Sequence, residues 1–227
     1  MTMIIFLTLE EKIDQSKRIL QEALDRYGSK MAIAWTGGKD STTTLHLLRQ
    51  VGEGRVPIPV LNIDTSAKFK EIYEFRDRLA QEWQLDLRIE RNDEALKSIK
   101  IAADKKECCT KLKSQVIADS LKKYGWEALI TGMRWGEQPE RTQESYFSGR
   151  EDPSHMRVHP ILHFTEMDIW QYIKDLNLPY CELYRKGYRS LGCEPCTKLG
   201  AVGGSERAGR DQEKEEIMQR LRAMGYF

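Results

Sequence analysis

Met31-Ala32-Ile33-Ala34-Trp35-Thr36-Gly37-Gly38-Lys39-Asp40-Ser41 decides the fold. Five apolar residues in a row read as a buried strand. The two glycines then let the backbone turn sharply and approach a ligand without interference from a Cβ. Leu45, Leu47 and Leu48 continue as a helix to about Gln50. A strand, a glycine turn and a helix start present a nest of main-chain N–H groups, which suits an anion. Ser41 and Thr42 add hydroxyl donors, and Lys39 adds a point charge for phosphate oxygens. Asp40 would repel phosphate unless a divalent cation lies between them, which points to magnesium. A Walker A loop needs a longer run before its Gly-Lys-Ser/Thr. Thr36, Gly37, Gly38, Lys39, Asp40, Ser41 and Thr42 are therefore candidate phosphate binders.

Outward from this loop the chain alternates strand and helix. Ile13, Leu20, Ala23 and Leu24 predict a helix over 9–27, with Gly28 as its stop. Strands are expected at 58–63, 85–89 and 128–131, with helices at 70–84 and 111–124. This alternation argues for a three-layer α/β/α fold with a mostly parallel, Rossmann-like sheet. Ligands collect at the carboxyl ends of such strands. Gly37-Gly38, Asp64 and Gly132 to Arg134 all fall at expected strand ends, and Asp64 is a candidate for ribose or metal. Residues 134–157 are polar and read as a long irregular loop. Thr165, with Asp168 three residues on, reads as the cap of a helix reaching about Leu176. Residues 185–204 are rich in Gly and Cys, and 205–223 are charged and expected to be helical. A nucleotide-binding unit over 1–165 and a helical, CxxC-containing extension over 166–227 are expected.

The 227 residues are 40% hydrophobic and 31% charged, with a formal charge of +1, which excludes wholesale disorder and gives no global pull toward nucleic acid or membrane. No apolar run approaches the roughly 18 residues of a membrane span. The opening 1–7 is apolar but has no basic lead and runs into Glu10, Glu11 and Lys12, so a cytoplasmic protein is expected. Four of the five cysteines form two tight pairs, Cys108-Cys109 and Cys193-Glu194-Pro195-Cys196. In a reducing compartment such pairs point to metal, cluster or redox chemistry. Adjacent cysteines are awkward for tetrahedral zinc and acceptable when each binds a different iron. A cluster, zinc and a redox disulfide all remain open at this stage. Lys105, Lys106, Lys111 and Lys113 flank the first pair and would offset a cluster's negative charge.

The loop resembles the PP-loop of the adenine-nucleotide α-hydrolase superfamily. Asn62-Ile63-Asp64-Thr65-Ser66-Ala67-Lys68-Phe69-Lys70-Glu71 is similar to the ATP-sulfurylase small subunit. Arg157-Val158-His159-Pro160 and Thr165 to Trp170 are similar to both that subunit and the phosphoadenosine-phosphosulfate (PAPS) reductases. So is Gly187 to Thr197. Glu206-Arg207-Ala208-Gly209-Arg210 and the ending Gly225-Tyr226-Phe227 again resemble the sulfurylase subunit. The resemblance implies cleavage of MgATP to AMP and pyrophosphate with activation of an acceptor oxygen. Lys39, Asp40, Arg134 and Arg141 would be catalytic, and Asp64 and Gly132 would lie at the nucleotide. The acceptor it implies is sulfate, or a DNA phosphate oxygen as in the ATP-pyrophosphatase components of DNA phosphorothioation systems. Cys108, Cys109, Cys193 and Cys196 resemble the four-iron, four-sulfur (4Fe-4S) site of adenylyl-sulfate (APS) reductases. A GTPase-type partner subunit, a cysteine desulfurase as sulfur donor and a homo-oligomer are further implications. Two other readings are an iron–sulfur APS or PAPS reductase and a non-catalytic nucleotide- or nucleic-acid-binding partner. A sulfite-forming reductase of this type carries a C-terminal nucleophilic Cys, and no Cys follows Cys196.

Overall fold

The computed structural model describes residues 7–201 and 203–223; the opening 1–6 and Gly225-Tyr226-Phe227 lie outside the described residues. Strands β1 (Met31–Ala34), β2 (Val60–Ile63), β3 (Leu87–Glu90), β4 (Ala128–Ile130), β5 (Phe147–Glu151) and β6 (Ser154–Val158) make one sheet, ordered β3-β2-β1-β4-β6-β5. Every neighbouring pair is parallel except the β5–β6 hairpin. The helices are α1 (Leu9–Tyr27), α2 (Lys39–Val51), α3 (Lys70–Glu82), α4 (Asp93–Ser98), α5 (Lys105–Cys109), α6 (Gln115–Tyr124), α7 (Glu166–Asp175) and α8 (Gln212–Ala223).

Alternation along the strands builds two cores. Met31, Ile33, Val60, Ala128, Ile130 and Val158 face one way and pack with Leu20 of α1, Leu45 and Leu48 of α2, Phe75 of α3 and Tyr172 of α7. Ala32, Leu61 and Leu129 face the other way, toward Leu121 of α6 and Trp126. Helices on both faces make the expected three layers. The chain runs from β1 outward to β3, then returns to place β4 on the other side of β1. That reversal opens a crevice between the carboxyl ends of β1 and β4, and it is there that residues 36–41 and 132–134 meet.

Three expectations need correction. Residues 134–157 are not a structureless loop: they hold two short 3-10 turns and the β5–β6 hairpin. The helix expected from 111 is entered from Lys105, through α5 and a π-turn at Thr110–Ser114 that runs into α6. Residues 206–209 form a turn, Arg210 bridges Thr197, and α8 begins only at Gln212.

Thr165 caps α7 as read from the sequence, in a capping box with Asp168. Asp168 also receives Lys12 of α1 at 2.6 Å, a pair largely shut off from solvent. Burial pushes the Asp168 carboxyl up, but Lys12 and Thr165 together hold it below its ordinary value. A depressed folded pKa gives stability that is present above the unfolded value, about 3.9, and lost as pH falls through the folded one. Lys12→Met is expected to cost about 1–2 kcal/mol at neutral pH, between an exposed and a buried pair. It should also flatten the loss of stability below about pH 4. Chemical denaturation across pH measures both.

Candidate active site

β1 delivers the glycine loop into the crevice. Gly37 has φ of 79°, a region glycine enters without strain. The Ser41 hydroxyl accepts from the Thr36 N–H at 3.3 Å and donates to the Gly38 carbonyl at 3.0 Å, pinning both ends of the turn. Thr42 is a strut: its hydroxyl accepts from the Trp35 indole at 3.0 Å. Gly38 caps α2 without a side chain, and the Lys39 N–H donates to the Tyr184 hydroxyl at 2.8 Å.

Gly132, just past β4, backs onto this turn. A Cβ there would stand 2.8 Å from the Ser41 nitrogen and 2.9 Å from the Asp40 carbonyl. Main chain would have to move against main chain, so Gly132→Ala is expected to cost about 1–3 kcal/mol. A lowered unfolding temperature would show it; an unchanged one would mean the loop is looser than its packing implies.

The side chains at the crevice form a buried ionic network. Arg134 is 1% exposed; its Nε donates to Asp40 at 2.5 Å, and a terminal nitrogen reaches both Glu206 oxygens at 2.6 and 2.7 Å. Lys39, equally buried, pairs with Glu206, with Asp40 at 3.3 Å and with the Arg189 carbonyl at 3.1 Å. Arg141 stands one layer back. It pairs with Glu137, which also takes Arg207 at 3.1 Å, while Glu215 clasps Arg207 at 2.8 and 2.9 Å. Burial pushes the Asp40 carboxyl up against the pull of Lys39 and Arg134. Burial also opposes the charge on Arg134, but Asp40 and Glu206 keep it firmly protonated. Asp40, Glu137 and Glu206 bring carboxylate oxygens within 4.8 Å of one another. Each already has a cationic partner, so the group is charge-matched as it stands.

Asp64 sits at the end of β2, but its carboxylate is taken locally, by the Ser66 N–H and the Tyr73 hydroxyl, both at 2.8 Å. His159, fully buried, lies 2.7 Å from the Thr131 hydroxyl and 3.6 Å from Glu144, a packing role. His46 packs with Trp83 and Tyr172.

The second constellation lies where four chain segments meet. Cys193 forms a bridge with Lys68 beyond β2, and the Glu194 N–H donates to the Ala67 carbonyl at 2.7 Å. The Asp211 N–H donates to the Cys196 carbonyl at 3.2 Å, and Lys105 of α5 pairs with Asp211 at 2.9 Å. Cys109, Cys193 and Cys196 are buried and Cys108 is half-buried. Among the described residues no three thiols come within 4.8 Å of one another. Tetrahedral zinc would need sulfurs about 3.8 Å apart, whereas a cluster spreads its ligands over several irons.

The flanking lysines expected from sequence divide. Lys105 is claimed by Asp211 and Glu213, and Lys106 and Lys111 are exposed. Lys113 does act on Cys193, joined by Lys214 of α8. Lys68 feels Cys193 as well. Among the described residues none of Lys68, Lys113 and Lys214 makes an ion pair with a carboxylate. Burial raises the Cys193 thiol, yet Lys113, Lys214, the Thr65 hydroxyl and Arg210 together bring it down to about 7. Burial in turn pulls Lys68 down to about 8.

Tyr184, Glu137, Glu206, Lys68 and Lys214 were not singled out by their sequence. Glu206 lies in the quoted run Glu206 to Arg210, which showed likeness without a role.

A glycine loop at the switch point of a mostly parallel sheet, with two buried, carboxylate-paired cations at its mouth, marks the chain as a layered α/β protein. The chain belongs to the phosphoadenosine phosphosulfate reductase domain family, which matches residues 30–199. It is 32% identical to sulfate adenylyltransferase subunit 2 of Zymomonas mobilis, over 93% of this chain and 78% of that protein. It is 28% identical to adenosine 5'-phosphosulfate reductase of Oceanobacillus iheyensis, over 88% of this chain and 85% of that protein. The fold matches a phosphoadenylyl-sulfate reductase from Candida auris in a phosphate complex, with a TM-score of 0.69 and 19% identity, over 83% of this chain and 97% of that one. No helix among the described residues is long and apolar enough to cross a membrane.

Proposed function

We propose that this chain is an ATP pyrophosphatase and adenylyltransferase of sulfur metabolism. It cleaves ATP to AMP and pyrophosphate while activating an acceptor oxygen, that of sulfate or of a DNA phosphate. The observation that carries this is the convergence of Lys39 and Arg134, both buried, on a single carboxylate at the mouth of the glycine loop. Two such cations make a seat for oxyanions. The likeness to sulfate adenylyltransferase subunit 2 supports the choice of reaction.

In this reading the acceptor oxygen attacks the α-phosphorus, the bond to the bridging oxygen breaks, and pyrophosphate leaves. Lys39 and Arg134 neutralise charge gathering on the leaving group, and the loop holds the phosphate chain in line. Asp40, beside Lys39 and Arg134, would hold the magnesium that accompanies ATP, whose hard, oxygen-seeking chemistry suits a carboxylate. Arg141 steadies Glu137 behind the site. Gly132 backs the loop, and Asp64, at the neighbouring strand end, would lie at the nucleotide. A GTPase-type partner subunit fits the subunit-2 relatives, a cysteine desulfurase fits a sulfur-transfer pathway, and the cytoplasm fits both.

Cys108, Cys109, Cys193 and Cys196 would hold a 4Fe-4S cluster. The cationic surround of Lys68, Lys113 and Lys214, which acts on Cys193, fits a negatively charged group. When bound, a cluster of this kind ties protein segments together and can pass single electrons. Here the residues themselves would tie α5, the CxxC turn and α8 beside the nucleotide crevice.

The test is α-labelled ATP with magnesium and anaerobically purified protein, with sulfate and DNA added in turn. Pyrophosphate is expected, with the label in the adenylylated acceptor, or in AMP once water or another nucleophile displaces it; ADP or no product overturns the reading. The four cysteines and the likeness to an APS reductase favour one second reading, sulfonucleotide reduction. Sulfite released from APS in the presence of a thiol would replace the first reading with it.

A further inference from the structure

We infer that Glu206 is an internal stand-in for phosphate, and that the 198–210 segment is a lid that must lift before a phosphate chain can enter. The inference rests on the proposed anion seat. Glu206 takes both Arg134 contacts, at 2.6 and 2.7 Å, and the Lys39 ammonium as well. One guanidinium nitrogen spanning both carboxylate oxygens, with an ammonium beside it, is a charge-assisted arrangement that a phosphoryl group could take over. One oxyanion can hold this pair of cations at a time, so nucleotide and Glu206 compete.

The segment is built to seat Glu206 and is anchored only at its ends and rim. Lys198 and Gly209 close its neck through an N–H to carbonyl bond at 2.7 Å, and Thr197 bridges Arg210. Gly209 is required at the neck, since a Cβ would collide with the Lys198 carbonyl. Between the ends, the contacts are polar: Arg207 with Glu137 and Glu215, and the Gly204 carbonyl with Arg189. Among the described residues, none from 199 to 206 joins the hydrophobic cores. Polar, rim-type contacts give low local stability, the property of an element that opens. A small recess lined by Arg189, Ser190, Lys198 and Ser205 lies beside Glu206. Its two cations offer the displaced carboxylate somewhere to go.

An internal ligand that fills the seat in nine molecules of ten weakens an entering anion about tenfold. Glu206→Gln keeps the size and removes the charge. It is expected to bind inorganic pyrophosphate, in metal-free buffer, about tenfold more tightly than the wild type by calorimetry. In the wild type, adding pyrophosphate should speed amide hydrogen exchange over 203–210 while slowing it over 36–41. That second measurement needs no variant, so it holds even if Glu206→Gln folds poorly. If wild type binds pyrophosphate and slows exchange over both segments, Glu206 is a ligand partner instead of a competitor and the inference fails while the seat stands. Unchanged or weaker binding by a folded Glu206→Gln would overturn it in the same way. If neither protein binds pyrophosphate at millimolar concentration, the seat and the lid fall together.

Discussion

Lys39→Ala is expected to lower adenylyl transfer about a hundred- to a thousandfold in kcat, the loss typical of removing a preorganised donor from a developing oxyanion. The loop alone suggests that this change would spare folding, as a solvent-facing phosphate ligand would. The structure revises that expectation, because Lys39 is as buried as any core leucine. Its removal leaves Asp40 and Glu206 sharing Arg134 alone, and breaking a buried pair from one side costs about 3 kcal/mol or more. The activity loss and the stability loss therefore need separating. Adding Glu206→Gln removes one of the stranded carboxylates, so the double variant should recover a good part of the lost stability and none of the lost turnover. A double-mutant cycle on unfolding free energy should show coupling of at least about 1 kcal/mol. Product assays with α-labelled ATP give the other axis. Wild-type rates in Lys39→Ala would remove the loop from the chemistry altogether.

What the sequence made legible was local. A strand, two glycines and a helix start are adjacent in the chain, and each is set by local spacing and turn geometry, so the strand–turn–helix of residues 31–50 was readable. So was the Thr165–Asp168 cap. The β5–β6 hairpin was not, because Phe147-Ser148-Gly149-Arg150-Glu151 is an edge strand with little buried apolar surface to set a period. Glu206 was not readable as a partner of Lys39, being 167 residues away. Charge pairing at that range is decided by how the C-terminal segment folds back. Arg141 shows the same limit: its type suits phosphate, but only the fold reveals that Glu137 claims it. The cysteines were legible as two pairs, whereas Lys68 and Lys214 reach them from elements that carry no cysteine.

That cationic surround leads to the second large effect. Cys193→Ser in anaerobically produced protein is expected to abolish cluster incorporation, and Cys109→Ser to do likewise. Each change removes a buried sulfur that a hydroxyl replaces poorly for soft iron. Wild type should carry about four irons and matching acid-labile sulfide per chain, with broad visible absorbance. Cys181→Ser is the control: Cys181 is equally buried but belongs to the main hydrophobic core, and the variant should keep its iron. The surround makes a further demand. With no cluster, Lys113 and Lys214 have the Cys193 thiol, drawn down to about 7, as a partial counter-charge; replacing it by a hydroxyl removes that charge, and like charges left together destabilise a fold. The cluster-free variants should therefore unfold at lower temperature than the loaded wild type, and added salt should narrow the gap by screening. Lys113→Met in the Cys193→Ser background should narrow it as well. A colourless wild type holding one zinc per chain would defeat the cluster. Stability indifferent to salt and to Lys113 would show that the lysines do not answer to the thiols.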